Sequence, residues 1–73
     1  IQKTYLMKNF IAEIRLIQRI AEIAEGEDHH PDIHLTGYRK LGIVLSTHAI
    51  KGLSENDFIL ASKVEALPKE LKS

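Results

Sequence analysis

The sequence contains no cysteine. That excludes disulfides, thiolate metal sites and a thiol nucleophile, and it fits an intracellular compartment. No apolar run is long enough to span a bilayer, and no stretch reads as a secretory signal. Charge of one sign is missing too. Ten basic residues face ten acidic ones, for a formal net charge of zero, so the electropositive footprint of a direct nucleic-acid binder is absent. Internal repeats, linkers and low-complexity segments are likewise absent. The 73 residues have room for one domain, and a domain this small buries a modest core. With no disulfide to staple it, oligomerisation or a further piece of the domain is the expected source of added stability. The first residue is Ile1, so a processed, trimmed or partial chain is an open expectation.

What is present reads as alternating elements. Residues 1–6 mix Ile, Thr, Tyr and Leu in the manner of a short strand. Asn9 is placed to cap a helix running to about Gly26. At about 100° per residue, Phe10, Ile14, Ile17, Ala21 and Ala24 share one stripe, and Leu16, Ile20 and Ile23 widen it. The apolar arc then covers roughly half the circumference, more than one sheet contact needs. It predicts one intramolecular face and one face for a partner subunit. Glu13 interrupts the arc near the helix start, where a carboxylate suits the dipole. Gly26 is the expected terminator, and Pro31 prevents an easy restart.

Residues 33–36 and 41–47 read as a hairpin turning near Gly37 to Lys40, with Leu41, Ile43 and Leu45 alternating inward. Ser54 and Asp57 have capping-box spacing at the head of a last helix. Phe58, Ala61, Val64 and Leu67 are its expected buried face, Pro68 its stop, and residues 69–73 a fraying tail. Strand, helix, strand, strand, helix predicts an α+β fold with an antiparallel sheet and the helices on one face.

Chemistry concentrates in the histidines. His29, His30 and His34 lie close together, and His48 follows the best strand. Imidazole exchanges protons near neutrality without a large pKa shift, and a polar loop after a helix end is a common place for function. A solvated loop with incidental histidines is the competing reading. A metal site using Asp28 and Asp32 beside the histidines is another, but the spacing fits no standard zinc pattern, and His29 and His30 would point apart in extended chain.

The segment Glu25-Gly-Glu-Asp-His-His-Pro31, then Tyr38, Ser46-Thr47-His48 and Gly52-Leu-Ser-Glu-Asn-Asp57, resembles the signature of the pterin-4a-carbinolamine dehydratases. In that pattern an acidic residue stands four positions before His-His-Pro. An aromatic residue comes next, then a histidine ten positions later, and an aspartate closes it. Residues 57–63 are similar to the family's final helix. The resemblance runs from about Tyr5 to Val64. It implies that 1–73 is a single domain lacking the family's N-terminal helix and strand, with a three-stranded sheet and an exposed edge.

The resemblance further implies dehydration of 4a-hydroxytetrahydrobiopterin to quinonoid dihydrobiopterin in tetrahydrobiopterin recycling, with no cofactor and no metal. His29 and His48 become the proton donors to the departing hydroxyl. His30 holds the pterin and shares the base role. Glu25 orients a histidine or binds the amino-pyrimidine edge. Glu25, His30, Pro31 and Asp57 form the substrate-binding set, with Pro31 shaping the loop. For Asp57 the capping role is preferred over catalysis, Tyr38 is expected to pack in the hairpin, and His34 is incidental. The implied state is a homodimer or homotetramer assembled partly through the first helix. The implied compartment is the cytoplasm, with nucleus or plastid as variants. A transcription-factor dimerisation or assembly role on the same fold is the alternative, and the three retained histidines favour the enzyme.

Overall fold

The computed structural model describes residues 1–45 and 55–72. Within them lie strand β1 (Gln2–Leu6), helix α1 (Phe10–Glu27), strands β2 (Asp32–Thr36) and β3 (Lys40–Val44), and helix α2 (Glu55–Ala66). The sheet order is β1-β3-β2, and both pairings are antiparallel. Register sets Tyr5 opposite Leu41 and Ile33 opposite Ile43. The two-residue period then turns Leu41, Ile43 and Leu45 to one face, where they pack with Leu16 and Ile20 of α1 and Leu60 and Val64 of α2. Both helices cover that face, as the element order predicted.

Helix α1 starts where Asn9 allows it. Asn9 is extended, and its side-chain oxygen accepts a hydrogen bond from the Ala12 amide at 2.9 Å, a cap worth about 1 kcal/mol. The apolar arc is partly buried and partly exposed. Leu16, Ile20 and Ala24 are buried, Ile14 and Ile17 are half-buried, and Phe10 and Ala21 are exposed. The helix end departs from the expectation. Gly26 stays helical, and Asp28 caps at φ 50° and ψ 43°. Aspartate is among the few side chains that visit this left-handed region readily. At the hairpin, Gly37 takes φ 55° in a three-residue turn, the conformation such a loop needs.

Two further expectations are corrected at the C-terminal end. Phe58 is exposed, and Leu60 takes its place in the core beside Val64. A stripe through Asp57, Leu60 and Val64 follows the helical period as well as the one through Phe58, and this one meets the sheet. The tail does not fray. The Lys8 amide donates to Glu70 at 2.7 Å and the Lys72 amide to Leu6 at 2.9 Å, while Arg15 holds the Glu70 carboxylate at 3.0 and 3.1 Å. Pro68 stops the helix, and the chain then docks beside the end of β1. Tyr5 donates to Glu65 at 2.7 Å, tying β1 to α2. Burial and then Glu65 push the phenol pKa upward, and the Tyr5 bond holds the Glu65 carboxyl below its ordinary value.

Glu13 has an unexpected position. It lies on the sheet-facing stripe with Leu16 and Ile20, fully buried, and among the described residues neither carboxylate oxygen has a hydrogen-bond partner. Desolvation raises its pKa above the ordinary 4.5, because burial penalises the charged form. The folded protein thus holds this proton more tightly than the unfolded chain. The group's contribution to stability is fullest below 4.5 and falls as pH rises toward the raised value. Glu13→Met should therefore stabilise the fold by about 1–3 kcal/mol at neutral pH. Thermal melts at several pH values should show that gain shrinking under acid conditions.

Candidate functional site

The end of α1 delivers His29 to its position. With Asp28 left-handed, its amide donates to Glu25 at 3.2 Å and the His29 amide reaches back to Ala24 at 3.1 Å. This closing turn satisfies the last carbonyls and reverses the chain. Pro31 then favours an extended His30 and leads directly into β2. The adjacent histidines diverge, as an extended pair must. His29 turns inward and is 15% exposed, whereas the His30 side chain is 59% exposed.

Inward lies Asp57, in the first turn of α2, with 0% exposure. Its Oδ1 stands 2.5 Å from His29 Nε2. A carboxylate accepts only, so the imidazole Nε2 carries the proton and donates. In the neutral ring Nδ1 is then the free lone pair, and in the imidazolium Asp57 stabilises the added charge. A partly buried base held in one tautomer by a buried carboxylate is equipped to move a proton at Nδ1. The His29 contact stands beside the capping role expected of Asp57. Its first-turn position still suits the α2 dipole, but the carboxylate also orients His29. Ser54, the other half of that capping box, lies outside the described residues.

Glu25 Oε1 meets His30 Nε2 at 2.8 Å, with both side chains largely exposed. A solvated pair of this kind contributes little to stability, and an incoming ligand can displace it. Pro31 is half-buried. Lys63 of α2 pairs with Glu27 in the last turn of α1, fastening together the two helices that supply Asp57 and His29. His48 falls outside the described residues. His34 faces away from the helices on β2, opposite Gly42. Tyr38 is 58% exposed, with the Arg39 guanidinium 5.3 Å over its ring, so its expected packing role is corrected. Turn residues project outward, where no layer covers them. Among the described residues no group of three or more His, Asp or Glu is placed to hold a metal ion.

Sequence reasoning missed the His29–Asp57 bond and the Glu27–Lys63 clamp. A signal existed for the first. Asp57, Leu60 and Val64 share a helical stripe, and a carboxylate on an apolar stripe calls for a donor. The tautomer is directly testable. Nitrogen-15 shifts of neutral His29 should report protonated Nε2 and bare Nδ1, and Asp57→Ala should bring the two tautomers toward balance.

The family profile described as "Pterin 4 alpha carbinolamine dehydratase" matches residues 1–67. The chain is 47% identical over 70 residues to the Arabidopsis thaliana protein named pterin-4-alpha-carbinolamine dehydratase 2, mitochondrial, covering 96% of this chain and 37% of that one. A Halorhodospira halophila protein that bears the dehydratase name provisionally is 51% identical over 67 residues, covering 92% of this chain and 61% of its own length. The chain thus spans less than two thirds of these curated relatives. A crystal structure described as a transcriptional coactivator/pterin dehydratase, from Brucella melitensis, superposes with a TM-score of 0.82 at 29% identity, covering 89% of this chain and 68% of that one.

Proposed function

The chain belongs to the pterin 4 alpha carbinolamine dehydratase family, and from that premise we propose that it dehydrates 4a-hydroxytetrahydrobiopterin to quinonoid dihydrobiopterin by histidine acid–base catalysis, in tetrahydrobiopterin recycling. The observation that carries the reading is the buried Asp57 carboxylate 2.5 Å from His29. The reaction breaks the bond from C4a to its hydroxyl and removes a proton from the neighbouring ring nitrogen. Hydroxide leaves poorly, so a general acid has to protonate it on departure. His29, protonated at both nitrogens, gives its Nδ1 proton to the hydroxyl, which leaves as water. The ring-nitrogen proton passes to a neutral imidazole, and the site returns to its starting protonation. Asp57 holds Nε2–H throughout and stabilises the charged ring.

In this reading His48 is the second acid, from the segment outside the described residues. His30 and Glu25 receive the substrate. The exposed Glu25 carboxylate suits the donor-rich amino-pyrimidine edge, and His30, once released from it, contacts the ring and shares the base role. Pro31 fixes where that pair stands. The protein works in the cytoplasm on this view. None of the helices among the described residues is long and apolar enough to cross a membrane.

Replacing His29 by Gln keeps a donor for Asp57 but ends proton exchange. It should lower kcat by about 10²–10⁴-fold with a smaller change in KM, while His30→Ala should act mainly on KM. The double replacement of His29 and His48 should leave little above the uncatalysed rate, and a chelator should change none of these values. Chelator inhibition reversed by zinc would replace this mechanism with a metal-assisted one.

The exposed flank of α1, with Phe10 at 47% and Ile11 at 54% exposure, supports self-association as a homodimer or homotetramer. The Brucella protein is described as a coactivator as well as a dehydratase, and the same flank is the surface such a second role would use. Sedimentation at micromolar concentration should show an oligomer, and Phe10→Glu should shift it toward monomer. A wild-type monomer under those conditions would remove this assignment.

A further inference from the structure

Helix α2 carries Asp57 on the stripe that meets the sheet, together with Leu60 and Val64. The two flanks of that stripe are tied to different elements. Glu65, about 80° around the helix from Asp57 in one sense, accepts from the Tyr5 hydroxyl of β1 at 2.7 Å and stands 3.7 Å from Lys3. Lys63, about 120° around in the opposite sense, pairs with Glu27 in the last turn of α1. Lys63 also lies about 9 Å further along the α2 axis than Asp57. Glu27 stands just ahead of Asp28 and His29. The short stretch from Glu27 to His29 is therefore joined to α2 twice, once through each of its ends.

Two ties do what one cannot. A single hydrogen bond fixes a distance and leaves α2 free to roll about its own axis. Side chains stand about 5–6 Å from a helix axis, so a roll of about 20° carries the Asp57 carboxylate about 2 Å. That displacement is enough to lose a bond of 2.5 Å. Burial of Leu60 and Val64 holds α2 on the sheet, but apolar attraction is non-directional and sets the roll only loosely. A second tie, displaced both along the axis and around it, opposes the roll directly.

We propose that Glu27 and Lys63 are positioning residues for the His29–Asp57 pair: their ion pair holds α2 at the roll where the buried carboxylate meets the imidazole. The proposal rests on the dehydratase reading where it concerns turnover, while the bond at His29 can be followed without any turnover. Its size is bounded. Lys63 is exposed and Glu27 half-buried, and a pair of that kind shifts an equilibrium by no more than about 5-fold. Its loss leaves the fold intact and acts on the opening of the His29–Asp57 bond.

The Nε2 proton of His29 exchanges with water when its bond to Asp57 opens, and proton NMR measures that exchange. Lys63→Met, which keeps the apolar stem, and the isosteric Glu27→Gln should each speed it about 2–5-fold. Dehydration by either variant should lose kcat within the same range at unchanged KM. The double variant should be no faster in exchange than either single one, because both remove the same interaction. Arg15→Gln is the control. It breaks a similarly exposed pair with Glu70 that ties α1 to the tail and not to α2, and it should leave the His29 exchange at the wild-type rate. Wild-type exchange in both single variants would overturn the proposal. So would additive effects in the double variant, or equal acceleration by Arg15→Gln. Where one single variant does not fold, the other is compared with the control alone. If wild type turns over no 4a-hydroxytetrahydropterin, the dehydratase reading fails, and proton exchange still decides whether Glu27 and Lys63 position His29.

Discussion

A carboxylate taken wholly out of water has to be met by a donor, and the bond from His29 to Asp57 meets that demand. Much of the remaining architecture follows from it. Asp57 is buried because its helical stripe, continued by Leu60 and Val64, packs on the sheet. His29 reaches it because α1 ends in a left-handed residue that reverses the chain within two positions. Moving either helix by one turn would separate the partners by about 5 Å. Removing one member of a buried pair costs about 3–5 kcal/mol, a large share of what a domain this small commands. The stability of the fold and the orientation of the His29 imidazole therefore depend on the same contact.

The fold was largely legible because its signals are local and periodic. Asn9 announced the start of α1. Leu41, Ile43 and Leu45 alternate in the way a half-buried strand requires, and Gly37 stands where the turn needs a positive φ. Errors arose where two patterns competed. Phe58 and Leu60 both continue helical stripes, and only packing on the sheet decided for Leu60. Gly26 is a better intrinsic terminator than Asp28, yet the carbonyls of Ala24 and Glu25 are satisfied two residues later. The tail looked free because pairing of Glu70 and Lys72 with residues more than sixty positions away leaves no local trace.

The site was legible in composition and less so in geometry. Spacing and resemblance brought His29, His30, Glu25 and Asp57 forward as one set. They did not separate an inward pair from an outward one. Burial does so: His29 with Asp57 is largely closed off from water, while His30 with Glu25 remains open to it. Glu13 shows the opposite situation, a carboxylate in the same core with no donor for either oxygen among the described residues. One acid in this interior is met by an imidazole, and the other has its pKa raised by burial.

Strand β2 occupies one margin of the sheet, and among the described residues only its β3 side is hydrogen-bonded to another strand. A row of open amides and carbonyls can template further strands and seed fibres. Here the row is five residues long. Pro31 precedes it with no amide to offer, Asp32 places a charge at its first position, and the left-handed Gly37 bends the chain away at the far end. Ile33 and Leu35, the residues that would make such stacking adhesive, face the helices instead. The hairpin that carries the chain on from the histidines thus guards its own margin. That margin is thereby made a poor template for open-ended strand addition.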